Sequence, residues 1–444
     1  MNNKKIAQTT IVVTIILIVS KMTGFLRDVA LAYAYGTSVE SDAFVLALSA
    51  VGIFSMLFGA IAAAFMPIYK AFSENRLPLE KKKFLDATYS IIGGLSCITV
   101  ILGIYLSGIA VRILAPGFTG EVYELSVAMT CILLCTVPFA FFVEIGSQHL
   151  RGENSFLASA AIGIPLNFVL VLAFIVVTPI YGLKAAALAY DLGAIVQILR
   201  IFPLIRKKGY KLSINFDFKN EGIRKILILT VPILIGSAIQ TINTIVDRML
   251  ASGLATGSMA ALNFSNRLSL FVIGLISMGA GNICYTKMSE LGAKNDVEGL
   301  KTFLRNIINI LNIIVVPATV GMIVLSEPII TAVFQYGAFD ASSSQMTTTA
   351  LIFYSIGLVG YCLRDMITRA FYSIQDSKTP MINGILAVII NIVGNLILVK
   401  FMGIGGLALA TSISAIVTTI LLLFSLRKKT GQLGAKEMLA VFIK

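Results

Sequence analysis

Lys21, Arg27 and Asp28 lie close together in the stretch Ser20-Lys21-Met22-Thr23-Gly24-Phe25-Leu26-Arg27-Asp28, inside an apolar run that opens at Ile6 and continues to about Ala34. At the centre of a bilayer each such charge costs about 2.5–3.5 kcal/mol, so charges of this kind face a partner, a cavity or a substrate. On a helix, Lys21 and Asp28 are separated by nearly two turns and share a face. Gly24 between them lets another backbone or a ligand approach. Arg27 is about 100° round from Asp28 and reaches the same space. The chemistry these types suit is anion binding, with Arg27 as a bidentate fork for phosphate, Lys21 as a point charge and Asp28 orienting the arginine. The competing reading is a buried structural ion pair between Arg27 and Asp28. One acid does not neutralise two cations, which favours the anion site.

A second group is Asn263, Asn266 and Arg267, with Asn263 and Arg267 one turn apart. Either Arg267 extends outward or pairs with Asp247, or it faces the first helix, so that two lobes contribute cations to one cavity. A third group, Asp247, Asn391, Asn395 and Thr411, carries oxygens that suit a small cation. Asparagines in membrane helices also serve as hydrogen-bonding links between helices.

The elements that hold these residues follow from composition. The chain has 444 residues, 57% hydrophobic and 13% charged, with mean hydropathy +0.91; a soluble domain carries about 25% charged residues. The fold class is an all-α polytopic membrane protein. Twelve apolar helical runs are expected, at about 7–34, 43–68, 86–110, 124–146, 156–178, 183–204, 222–248, 257–283, 305–325, 347–371, 379–400 and 404–426. Loops alternate in charge. One set holds 25 cations, among them Lys4, Lys5, Arg76, Lys81–Lys83, Arg206–Lys208, Arg427–Lys429, Lys436 and Lys444; the other holds Arg112, Lys184, Arg248 and Lys400 beside Glu40, Asp42, Glu121 and Asp340. The positive-inside rule places the first set and both termini in the cytoplasm. The net charge of +13 follows these loops, so no nucleic-acid partner is expected. Arg200 and Arg369 are expected to snorkel, and Arg364 to pair with Asp365.

A weak internal repeat aligns Asn167 with Asn391 and Gly182 with Gly406 at a shift of 224, and Ser20 with Ser237 at 217. It divides the chain into an N-terminal six-helix lobe (1–204), a cytoplasmic basic linker (205–221), a C-terminal six-helix lobe (222–426) and a cytoplasmic tail (427–444). Parallel repeats of this kind are a transporter layout with a central site. No G-x-x-x-x-G-K-[ST] loop occurs and the acids and single histidine form no hydrolase set, so a transporter rather than an enzyme is expected. Five cysteines at 97, 131, 135, 284 and 362 include no CxxC, so neither a disulfide nor a metal centre is expected.

The Ser20–Asp28 stretch, together with Ala34-Tyr35-Gly36, Ser41-Asp42-Ala43-Phe44, Leu114-Ala115-Pro116-Gly117-Phe118, Phe334-Gln335-Tyr336-Gly337-Ala338-Phe339-Asp340 and Arg369 through Pro380, resembles the MurJ/MviN family of lipid II flippases. The resemblance covers essentially the whole chain. It implies the MOP exporter fold, two lobes around a V-shaped cavity, and movement of an undecaprenyl-pyrophosphate-linked muropeptide from the inner to the outer leaflet by alternating access. It implies substrate contacts from Arg27, Asp28 and Arg267, with Lys21 where the family has arginine, and Gly24 and Asn263 beside them. It also implies a cation site at Asp247, Asn391, Asn395 and Thr411, with Asn395 where the family has an acid. The expected second-helix arginine has no counterpart, since 43–67 holds no cation. The usual helices 13–14 are lacking, although Gly434–Lys444 reads as the approach to a thirteenth. No cofactor is expected; coupling would come from Na+, H+ or the membrane potential. A monomer in the bacterial inner (cytoplasmic) membrane is expected, with cell-wall synthesis proteins as candidate partners. The alternatives are a flippase for another lipid-linked oligosaccharide and a cation-coupled multidrug exporter of the MATE branch.

Overall fold

The chain is described by a computed structural model covering residues 3–75 and 78–431. Arg76, Lys436, Lys444, Gly434–Lys444 and most of the expected tail lie outside the described residues. Every regular element among those described is helical. Close packing divides the chain at Gly253 into two units.

The first unit holds α1 (Asn3–Tyr35), α2 (Val39–Asn75), α3 (Pro78–Ala87), α4 (Gly93–Leu114), α5 (Gly120–Leu134), α6 (Thr136–Gly152), α7 (Phe156–Ala160), α8 (Gly163–Leu172), α9 (Thr178–Tyr181), α10 (Leu183–Lys207) and α11 (Glu221–Ser252). Its centre is α2, against which α5, α6 and α11 pack. The second unit holds α12 (Ser258–Ala293), α13 (Val297–Val324), α14 (Ser326–Phe334), α15 (Ala341–Ile356), α16 (Leu358–Ser373), α17 (Lys378–Met402) and α18 (Ile404–Thr430). Here α18 is central, flanked by α15, α16 and α17. The repeat-based lobes and the packing units are different divisions. α11 opens the second repeat but lies along α2, so it packs with the first unit.

Nine helical stretches are long and apolar enough to cross a membrane, and eleven when two bent pairs are each taken as one. With α1, which carries its three charges between residues 21 and 28, they occupy the twelve expected stretches. The breaks have local causes. α5 and α6 bend by 42° at Cys135, where Pro138 has no N–H for the Leu134 carbonyl. Pro165 likewise has none for Ala161, and α7 stops there. Arg200 donates to that carbonyl at 2.9 Å and Gln197 to the carbonyl of Ile162 at 2.7 Å. Arg200 therefore caps a broken helix instead of snorkelling. The bend between α15 and α16, also 42°, falls at Gly357, where a methyl would lie 2.7 Å from Ser412 Oγ of α18. Two π-helical turns, Thr88–Ile92 and Ala173–Val177, interrupt the stretches around α3–α4 and α8–α9.

The sequence motifs singled out above are mostly turns and caps. Gly337 has φ of 64°, and the aromatic rings of Phe264, Phe334 and Phe339 pack round that turn at centroid distances of 5.5–6.0 Å. Asp340 caps α15 by accepting from Ser343 N at 2.8 Å, which holds its carboxyl below the usual range. Asp376 accepts from Thr379 N at 3.0 Å and Oγ1 at 2.6 Å at the start of α17, and pairs with Lys429. Burial opposes ionisation there, but these donors bring its carboxyl down to about 2. Arg369 pairs with Asp365 at 3.1 Å. Arg364 lies instead over the Tyr361 ring, at 5.3 Å.

Candidate functional site

The charged stretch of α1 is held by α8. Arg27 donates from Nε and Nη2 to Asp28 Oδ1 at 3.1 and 2.8 Å, and from Nη1 to Asn167 Oδ1 at 3.5 Å. The Asn167 amide donates in turn to Thr23 Oγ1 at 3.3 Å, and Thr23 closes the chain onto the Ser20 carbonyl at 2.9 Å. Gly24 makes this approach possible, because a methyl there would already touch Asn167 Nδ2 at 3.4 Å. On α8, Gly163 gives Ser20 the same access, its added methyl lying 3.0 Å from Ser20 Oγ. Asp28 is 4% exposed, while Lys21 is exposed. Both sequence readings thus hold in part. Arg27 and Asp28 form the expected ion pair, and Lys21 is a second cation that this acid does not neutralise. A guanidinium has five N–H donors; three are engaged here, so two remain for a further acceptor. Asn167 was the unforeseen member. Sequence marked it only as a repeat position, since its contacts run to a helix about 140 residues away.

In the second unit, Asn263 is half-buried on α12, with Asn266 and Arg267 exposed. The buried Asn391 of α17 donates to Thr411 Oγ1 of α18 at 3.0 Å, and Asn395 donates to Asn391 Oδ1 at 2.8 Å. Thr411 donates to the Leu407 carbonyl at 3.0 Å. Three of the four expected cation-site residues are therefore adjacent, and they link two helices through one another. The fourth, Asp247, lies on α11 in the first unit. Another carboxylate in an apolar run escaped notice. Asp191 of α10 accepts from Thr136 at the α5–α6 bend.

One further cluster gathers at the end of α6. Glu153 Oε1 accepts from Tyr69 OH, from Tyr210 OH at 3.0 Å and from Lys81 Nζ at 3.1 Å. The Lys81 ammonium sits 4.9 and 5.0 Å from the centroids of the Tyr69 and Tyr210 rings. His149 packs edge-on to the same two rings at 5.0 and 4.7 Å. Burial pushes the Glu153 carboxyl up, but the three donors outweigh it and bring it from 4.5 down to about 2. A depressed carboxyl pKa stabilises the fold above the unfolded value, and that contribution disappears as pH falls through the folded value. Glu153→Gln is expected to cost about 1–2 kcal/mol near neutral pH, a figure kept low because the carboxylate is partly exposed. Thermal midpoints of both proteins should differ steadily above pH 4.5 and converge between pH 4.5 and about 2. A gap that persists unchanged to pH 2 would count against the ionised carboxylate.

With this geometry in place, the comparisons can be read. The family model described as lipid II flippase MurJ matches residues 31–444. The chain belongs to the MurJ family. A probable lipid II flippase MurJ from Buchnera aphidicola subsp. Baizongia pistaciae is 28% identical over 424 residues, covering 94% of this chain and 82% of that protein. The Vibrio cholerae protein of the same description is 28% identical over 433 residues, with 95% and 82% covered. Among solved structures, a lipid II flippase MurJ in an inward closed conformation superposes with TM-score 0.82 at 26% identity, covering 98% of this chain and 92% of that one. An inward-facing MATE-family multidrug resistance transporter of the MOP superfamily gives 0.77 at 19% identity, over 95% and 98%. That second likeness is one of fold. The chain is thus a multi-pass membrane transporter of the MurJ family with the MOP fold, and not an enzyme. The matched region begins after Lys21, Arg27 and Asp28, so their role is argued from their own geometry.

Proposed function

We propose that this chain is a lipid II flippase that carries the undecaprenyl-pyrophosphate-linked muropeptide from the inner to the outer leaflet of the bacterial cytoplasmic membrane by alternating access, with both termini in the cytoplasm. The observation that carries the substrate reading is the α1 constellation. Arg27 is held in place by Asp28 and Asn167 with donors to spare, and Lys21 stands exposed on the same helix. The local balance is one positive charge in excess, which suits a diphosphate and disfavours a cationic drug. Asn263 and Arg267 on α12 are the proposed second set of substrate contacts. Asp28 acts as a positioning residue for Arg27.

Energy is proposed to come from a Na+ or H+ gradient or from the membrane potential. Asp247 supplies the carboxylate that the amides and hydroxyl of Asn391, Asn395 and Thr411 lack. Those three already satisfy one another by hydrogen bonds, so the set as it stands in the second unit fits a helix link at least as well as a cation. The protein is proposed to act as a monomer, alongside cell-wall synthesis proteins.

The test is lipid II translocation by reconstituted Arg27→Ala and Arg267→Ala proteins at matched amounts. Each is expected to lose about tenfold or more, since a hydrogen bond to a charged group is worth about 1.5–3 kcal/mol. Wild-type rates in both would overturn charge capture. Export of cationic dyes without lipid movement would favour the drug-exporter reading.

A further inference from the structure

The connection from α10 to α11 was expected to be a basic linker. It is a strap fastened to the first unit along one edge. Ser213 donates to the buried Asp86 from its N–H at 2.9 Å and from Oγ at 2.6 Å. Asn215 N–H donates to Ser90 Oγ at 2.9 Å, and Ser90 belongs to the π-helical turn between α3 and α4. Tyr210 is held by Glu153. Asp217 accepts from Lys219 N at 3.1 Å and donates its own N–H to Asn215 Oδ1 at 3.2 Å. The polar residues at 213, 215 and 217 thus serve the protein side or the strap itself.

The alternate positions do the opposite. Ile214, Phe216 and Phe218 are 84%, 57% and 71% exposed, an arrangement of alternating faces. Three large apolar side chains in water would cost free energy with nothing gained. Their surroundings say what covers them. Phe216 lies against Gly94, at 4.0 Å from a methyl added there. From that point the exposed row Leu95, Ile98, Leu102 and Tyr105 continues along α4, a helix apolar enough to span a membrane. The strap's apolar face is therefore continuous with a lipid-facing surface. Its edges are basic: Lys207, Lys208, Lys211 and Lys219 on the strap and Lys83 on α3 are all exposed.

We propose that residues 210–219 form an interfacial anchor for an anionic phospholipid leaflet. Ile214, Phe216 and Phe218 enter the boundary between headgroups and acyl chains, and the flanking lysines hold headgroup phosphates. The inference is independent of what the protein transports.

The test uses the full chain in nanodiscs of phosphatidylcholine with or without phosphatidylglycerol, after replacement of the five cysteines. Nitroxides are placed at Phe216→Cys and Phe218→Cys, with Ile98→Cys as the lipid reference and Lys294→Cys as the aqueous one. Both strap labels are expected to favour oxygen over a nickel chelate, as Ile98 does, and more so with phosphatidylglycerol. In native mass spectrometry, K207Q/K208Q/K211Q/K219Q should retain at least tenfold less phosphatidylglycerol, as one cation near an anionic surface is worth about fivefold. Labels that behave like Lys294 in both lipids would overturn the anchor and make a soluble protein the occupant of this face. Lipid-like labels with no dependence on phosphatidylglycerol or on the four lysines would overturn the anionic recognition.

Discussion

Asp28→Ala is expected to be the most damaging single change on α1, with a loss of about 3–5 kcal/mol of stability. The reason is asymmetric. Removing Asp28 leaves the Arg27 guanidinium, 15% exposed in its side chain, with only the long contact to Asn167 at 3.5 Å. Removing Arg27 leaves a carboxyl that escapes the penalty by taking up a proton. Arg27→Ala should therefore be milder in thermal stability, and the double Arg27→Ala/Asp28→Ala milder than Asp28→Ala alone. Function should rank differently. Both proteins that lack Arg27 should fail to move lipid II, while any Asp28→Ala protein that folds should keep residual transport. Thermal midpoints in detergent and translocation in proteoliposomes measure the two orders separately. Transport at wild-type rate by a stable double variant would show that the pair is structural only.

Gly117→Ala should be the second severe change, although it lies far from any charge. Its added methyl would sit 2.3 Å from the Ser252 carbonyl oxygen and 2.8 Å from Gly253 N, and backbone cannot step aside as a side chain can. The Gly117 N–H also donates to Ser252 Oγ at 3.1 Å. The loop after α4 is thus clamped to the end of α11, and displacing it should cost about 1–3 kcal/mol or more. Gly59→Ala is the control, since nothing lies within 4 Å of its added methyl and alanine suits a helix interior better than glycine. Equal thermal midpoints for the two variants would refute the clamp.

The Gly117 clamp also shows where sequence reading succeeds and where it stops. The twelve apolar stretches were legible because membrane spanning demands long uninterrupted runs. The Arg27–Asp28 pair was legible because its members are neighbours. Asn167 was not, because its role depends on two helices meeting about 140 residues apart in the chain. Arg200 was misread because the carbonyl it caps exists only once Pro165 has broken the helix. The placement of α11 was hidden for a different reason. Sequence similarity groups it with the helices it descends beside, whereas packing groups it with α2. Glu153 had a faint signal, a single acid among cytoplasmic cations, but its tyrosine partners lie 84 and 57 residues away.

The π-helical turn Thr88–Ile92 carries one implication for how this chain tolerates change in length. A π turn contains one residue more than the α-helix around it needs. Deleting one residue there would restore regular hydrogen bonding, yet it would rotate everything beyond by about 100° and draw it back by about 1.5 Å. Leu95, Ile98, Leu102 and Tyr105 would swing away from the lipid, and the Ser90 hydroxyl that receives Asn215 would be misplaced. The surplus residue is thus a frameshift in helical phase, and losing it would break both the row that faces lipid and the strap fastened below it.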